Sequence, residues 1–267
     1  MSNCVRCGRE LPVGERDPLC SDCRANTSVI VPTNEAPPVR NRQSFSLTQI
    51  IVGINVLVFV AMVVSGVSPL APTVQQLVTW GANYAPLSLG SQPWRILASN
   101  YEHIGIIHIF FNMWCLWNLG RLAERIFDRW TYLLVYTATG IAGSLASLWW
   151  HPRGIGAGAS GAIFGLAGAL IAVLYLGKLP IAKEALKPTL KSLVMFAAYN
   201  LFFGLVPGID NSAHLGGLAA GLGLGAVLAR SVTEPPDTRA HWRNYVLVGT
   251  TLLLLAGYKY VQLKNGH

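Results

Sequence analysis

The chain has 267 residues, 52% of them apolar and only 12% charged, with a mean hydropathy of +0.43. An ordinary soluble domain carries about twice that charged fraction, so the composition excludes one and specifies an integral membrane protein. The formal net charge of +8 could suggest nucleic acid, but the basic residues flank apolar runs, as in membrane orientation, and no nucleic-acid partner is expected.

No apolar stretch precedes Leu47, so no cleavable signal peptide is expected. Cys4-x-x-Cys7 and Cys20-x-x-Cys23 form two thiol knuckles separated by twelve residues. Two such turns can converge on a tetrahedral Zn²⁺ held by four thiolates, a closed and therefore structural site. Two disulfides or an iron cluster are the alternatives; a segment facing a reducing cytosol disfavours disulfides. Residues 1–26 therefore read as a zinc-ribbon-like cytosolic module whose folding energy comes from the metal. Its expected role is to bind a cytosolic partner, which the sequence does not name.

Residues 27–46 form a linker, with Pro32, Pro37 and Pro38 and no helical period. Seven uncharged or nearly uncharged spans follow: about 47–66, 104–122, 131–150, 157–176, 190–206, 213–229 and 245–261. The connection 67–103 is too apolar and aromatic (Trp80, Tyr84, Trp94, Tyr101) for a solvated loop and is expected to lie partly in the membrane interface. In the sixth span Gly217, Gly221 and Gly225 recur every four residues, a face along which a neighbouring helix can approach closely.

Seven spans put the termini on opposite sides. One set of segments holds Arg6, Arg9, Arg16, Arg24, Arg40, Arg42, Arg121, Arg125, Arg129, Lys178, Lys183, Lys187, Lys191, Arg230, Arg239 and Arg243; the other holds only Arg95, Arg153, Lys259 and Lys264. Sixteen against four places the amino terminus in the cytosol and the carboxy terminus outside.

With that orientation the second, fourth and sixth spans run inward. His108 lies about one turn into the second, Ser160 about one turn into the fourth, and His214 at the start of the sixth. Asn112 follows His108 by four and shares its face. Intramembrane ionisable groups are costly and mark functional candidates. Ser160 is bracketed by small residues in Gly158-Ala159-Ser160-Gly161, which by themselves suit helix packing as well as chemistry. A serine hydroxyl needs a base to become a nucleophile, and either His214 or His108 could serve on spacing alone. The remaining histidine and Asn112 would then supply donors to a developing oxyanion. No carboxylate is placed to orient the base: Glu102 and Asp210 fall in outer loops, so Phe164, one turn below Ser160, is the candidate to orient it by stacking. His103 is expected to be water-facing scaffolding, and His151, His241 and His267 receive no role.

Gly158-Ala159-Ser160-Gly161, the run from Ala213-His214-Leu215-Gly216 to Gly221, and His108-Ile109-Phe110-Phe111-Asn112 resemble the signature motifs of rhomboid intramembrane serine proteases. Trp94-Arg95 resembles that family's interfacial Trp-Arg pair, and the likeness runs over about residues 45–230. It implies an all-α polytopic membrane protein: a six-helix core over 47–230, with 231–267 adding a seventh helix. It implies Ser160 as nucleophile and His214 as base. It also implies an oxyanion hole of His108, Asn112 and the Ser160 amide, with Phe164 stacked on the base. The implied substrates are transmembrane segments of other proteins, cut near their outer ends within the lipid bilayer, with no cofactor for catalysis. A bacterial inner membrane is the expected location. The fifth span, or the loop from Pro207 to Asp210, is the expected gate. A catalytically silent client-binding relative and a small transporter with a histidine proton relay are the competing readings.

Overall fold

The structure, a computed structural model, describes residues 3–4, 7–11, 20–25, 46–206 and 208–266. Apart from Ser46 the expected linker lies outside the described residues, as does Pro207 of the expected gate loop. Two compact units divide the chain, Met1–Ser44 and Phe45–His267. In the first, Gly8 adopts a left-handed φ of +76°, a conformation that glycine takes without strain. This lets the Gly8 amide reach the Cys4 carbonyl at 2.9 Å while the Cys4 amide donates to Arg9 at 2.8 Å. The chain thus turns back on itself around the first thiol pair. Helix α1 (Ser21–Ala25) follows Cys20 and carries Cys23.

The second unit is an all-α polytopic membrane bundle. Helix α2 (Leu47–Val64) starts at a capping box, in which the Ser46 side chain and Gln49 satisfy each other's backbone amides. After the connection come α6 (Ile106–Ile126), α7 (Arg129–Trp150), α8 (Ser160–Leu176), α9 (Lys183–Phe203), α10 (Asn211–Leu228) and α11 (Pro236–Lys264). Helices α2, α7 and α11 are long and apolar enough by themselves to cross a bilayer, and α8 is a shorter apolar helix. Helices α6, α9 and α11 outrun the apolar spans because charged turns extend them: Arg125 ends α6, Lys183 and Glu184 begin α9, and Asp237 begins α11. Hydropathy marks only the part of a helix that lipid must solvate.

Helix α8 is the axis. Every residue from Gly161 to Leu170 is buried, enclosed by α6, α7, α9 and α10. The closest partner is α10, and the glycine stripe is the reason. A side-chain carbon at Gly217 or Gly221 would overlap the carbonyl of Gly161 or Gly165, and one at Gly225 would sit 2.5 Å from the Ala169 carbonyl. Only glycine permits two backbones to come this near.

The connection is not a loose loop. It folds as α3 (Val74–Trp80), β1 (Asn83–Tyr84), α4 (Ala85–Ser88), α5 (Arg95–Ala98) and a 3₁₀ turn over Ser99–Tyr101. Strand β1 pairs antiparallel with β2 (Ile155–Gly156), Asn83 opposite Gly156, and so ties the connection to the segment leading into Ser160. Arg95 is 5% exposed; its Nη1 donates to the carbonyls of Val78 at 2.6 Å and Ala82 at 3.2 Å, and its Nε to Gln92 at 2.7 Å. A single guanidinium thus closes the folded connection.

Candidate active site

Three helices bring the expected residues together. Ser160 opens α8, where the first-turn amides have no partner within the helix. The preceding loop reaches it through Gly158, whose φ of +138° is open to glycine and strained for other residues. A side-chain carbon there would stand 2.6 Å from Cε1 and 3.0 Å from Nε2 of His108, so the imidazole lies directly on the loop before Ser160.

His214 sits one turn into α10 and is buried. Its Nε2 and the Ser160 Oγ are 2.9 Å apart, a hydrogen bond in which the hydroxyl donates when the proton of the neutral imidazole sits on Nδ1. The Phe164 ring, one turn along α8, lies 4.4 Å from that imidazole and 13° from parallel. His214 Nδ1 is buried and has no hydrogen-bond partner among the described residues.

On α6, the Ile104 amide donates to His108 Nδ1 at 3.3 Å. A nitrogen that accepts carries no proton, so Nε2 bears the hydrogen and is a donor toward the loop. Asn112 is 6% exposed, and its amide group donates to the His108 carbonyl at 3.0 Å. His108, with Asn112 bonded behind it, thus faces the loop that leads into the first-turn amide of Ser160.

Three expectations need correction. His103 is not water-facing: it is fully buried, accepts from the Ala159 amide at 3.5 Å, and stands 5.3 Å from the His108 ring. Asp210 is not a bystander in a loop. It caps α10 through the Ala213 amide at 3.1 Å, accepts from the Ser212 hydroxyl at 2.6 Å and bonds the Ser147 hydroxyl. An aspartate just ahead of a helical run is an N-cap signature, so this was legible. His151, assigned nothing, hydrogen-bonds Ser212 at 3.2 Å and so joins the same network.

Behind Ser160 lies a cavity of about 30 Å³, lined among others by Asn83, Asn100, Ser144, Ser147 and Asp210. It is polar and large enough for water. Glu102, in the connection, is 2% exposed, and burial pushes its carboxyl up to about 8 against the opposing pull of Arg95.

In the amino-terminal unit the four cysteine sulfurs lie within 4.8 Å of one another. Those of Cys7 and Cys20 are 3.6 Å apart, beyond disulfide bonding. Sulfurs at about 2.3 Å from a tetrahedral ion stand about 3.8 Å from each other, so the spacing fits a bound metal. The Cys20 amide donates to the Cys4 sulfur at 3.3 Å, as suits a thiolate.

Comparison with known proteins agrees with the motifs. The Rhomboid domain family matches residues 90–231. Rhomboid protease GluP of Bacillus subtilis is 34% identical over 221 residues, covering 82% of this chain and 41% of that protein. Rhomboid protease AarA of Providencia stuartii is 30% identical over 248 residues, covering 84% of this chain and 86% of that one. RHOMBOID-like protein 6, mitochondrial, of Arabidopsis thaliana is 36% identical over 176 residues, covering 66% of this chain and 56% of that one. The chain thus spans less than two-thirds of the length of the Bacillus and Arabidopsis relatives.

Proposed function

This chain belongs to the rhomboid family of intramembrane proteases, and on that premise we propose that it cleaves transmembrane segments of other membrane proteins with a Ser160–His214 dyad. The observation that carries the reading is the 2.9 Å bond from Ser160 Oγ to His214 Nε2, with Phe164 stacked on the imidazole.

The steps follow from the donors and acceptors. His214 Nε2 takes the Ser160 proton as Oγ attacks the scissile carbonyl carbon. The oxygen of the tetrahedral intermediate gains negative charge, which the His108 Nε2–H, the Asn112 amide and the Ser160 backbone N–H stabilise. Collapse expels the amine, which leaves with the proton held on His214, and an ester remains on Ser160. Water from the polar cavity attacks the ester and gives its proton to His214; the acid departs and Ser160 regains its hydrogen. Phe164 takes the place of an orienting carboxylate.

We place the amino terminus in the cytosol, so that the dyad lies near the outer membrane face, where water can reach it and a substrate helix can unwind. Helix α9 is the proposed gate. Only Leu193 and Ala197 of it are buried, and Phe196 reaches to 5.7 Å from Phe164, so moving α9 would open a path from lipid to the dyad. The four cysteines, Cys4, Cys7, Cys20 and Cys23, are assigned to a structural Zn²⁺ in a cytosolic module, with residues 27–46 as its linker.

A serine-reactive fluorophosphonate tests the reading. Labelling of the wild type, lost in Ser160→Ala and in His214→Ala, is the expected result. Failure to label the folded wild type would instead favour the silent client-binding reading.

A further inference from the structure

Helix α11 is fastened to the bundle at both ends, and between them it packs closely at Val246 and through Leu254 and Tyr258, leaving grooves on either side. At the Pro236 end Arg243 donates to Asp128 at 3.0 Å, and the Trp242 indole donates to the Val227 carbonyl at 3.1 Å. At the far end Gln262 donates to the Leu89 carbonyl at 2.7 Å and Lys264 to the Trp149 carbonyl at 3.0 Å. Between these fastenings a groove opens on each side of α11, about 480 Å³ against α7 and about 530 Å³ toward α10. Both volumes fall within the roughly 300–1,000 Å³ of small-molecule sites.

The two grooves differ at their ends. The first is walled by Leu133, Thr137 and Ile141 of α7 and by Leu247, Thr251 and Leu254 of α11, and it ends at Arg243, Trp130 and Asn244. From Arg243 to Leu254 the helix rises about 16 Å, half of a roughly 30 Å hydrocarbon core. The groove is therefore one leaflet deep. At its mouth Arg129 stacks 5.6 Å from the Trp130 ring, and Arg239, one turn before Arg243, has a buried Nε with no partner among the described residues. Arg129 and Arg239 thus flank the Arg243–Asp128 pair, and with Asp237 in the first turn of α11 three guanidiniums stand against two carboxylates. The second groove lacks such a cationic end; its lining is apolar apart from Thr250 and the rings of Trp242 and Tyr245.

An apolar channel one leaflet deep, ending in surplus positive charge beside a tryptophan, matches a lipid with an anionic head. We propose that the α7–α11 groove binds one anionic phospholipid, with an acyl chain between the helices and the phosphate at Arg129, Arg239 and Arg243. Basic pockets between membrane helices hold such headgroups. The ligand then fills the space that direct packing leaves between α11 and the bundle. None of this depends on the protease reading.

The test uses the full chain, stripped of lipid in detergent and titrated with phosphatidylglycerol or phosphatidylcholine of identical chains, with native mass spectrometry reading occupancy. Each surplus arginine contributes on the order of fivefold to anionic binding. Phosphatidylglycerol should therefore be retained at one copy per chain, roughly tenfold or more in preference to phosphatidylcholine. Thr137→Phe, which fills the first groove, and Arg129→Gln, an exposed change that leaves the ion pair intact, should each lower that occupancy about fivefold. Gly249→Leu, at an open position on the second groove, should leave it unchanged. Equal retention of the two lipids, unchanged occupancy in Arg129→Gln, or an equal loss in Gly249→Leu would each overturn the proposal. The Arg129 variant keeps the test decisive should Thr137→Phe fail to fold.

Discussion

The ring of Phe164 lies face to face with the imidazole of His214, 13° from parallel at 4.4 Å. Helix α8 therefore supplies both the hydroxyl that bonds the imidazole and, four residues on, the surface that fixes its plane. Because His214 Nδ1 has no partner among the described residues, the stack and the Ser160 bond are its described restraints. An aromatic stack is worth about 0.5–1.5 kcal/mol beyond burial. Phe164→Leu should then lower kcat by roughly threefold to tenfold with a thermal midpoint close to wild type once cavity loss is allowed for. An unchanged kcat in a folded variant would remove the orienting role.

In the proposed mechanism the donors on α6 act on a charge that exists only after attack. Loss of one such donor costs a factor of roughly 10² to 10³ in kcat. His108→Ala and Asn112→Ala should each approach that loss while KM moves little, since ground-state binding does not use them. Steady-state kinetics on a transmembrane peptide in detergent separate the two parameters. A raised KM with preserved kcat in either variant would mean that the residue holds substrate instead.

The helices were legible because lipid demands long apolar runs, and the motifs led to a candidate site in which Ser160 and His214 meet at 2.9 Å and His108 packs on Gly158. What escaped was made by distant contacts. The connection 67–103 has no period, and its short elements are held by the Arg95 guanidinium on the carbonyls of Val78 and Ala82 and by β1 against β2. His103 was misread for the same reason. A residue in an aperiodic segment carries no sign of the Ala159 amide that buries it.

The glycine stripe of α10 gives a paired test of packing. Gly221 faces the Gly165 backbone, where a side-chain carbon would overlap it, whereas one at Gly223 would meet nothing within 4 Å. Gly221→Ala must push α10 from α8 and should destabilise by about 1–3 kcal/mol, the usual cost of overpacking. Gly223→Ala on the same helix should be neutral or stabilise by up to about 1 kcal/mol, the helix preference of alanine over glycine. Denaturation midpoints in mixed micelles compare them. Similar values would mean that α8 and α10 are not held by backbone contact.

The thiol cluster and the dyad belong to different compact units, which separates their chemistry in a test. Among the described residues, the buried cluster of the amino-terminal unit is Cys4, Leu11 and Cys20 with Cys23 packed on it, a core small enough that a metal is expected to supply folding energy. Elemental analysis should therefore find about one zinc per chain, falling in Cys7→Ser. Chelation should expose residues 1–26 to protease and leave fluorophosphonate labelling of Ser160 intact, because hydrolysis by a serine and an imidazole needs no metal. A protected, zinc-free segment would refute the metal assignment, and labelling lost on chelation would show that the two units are coupled.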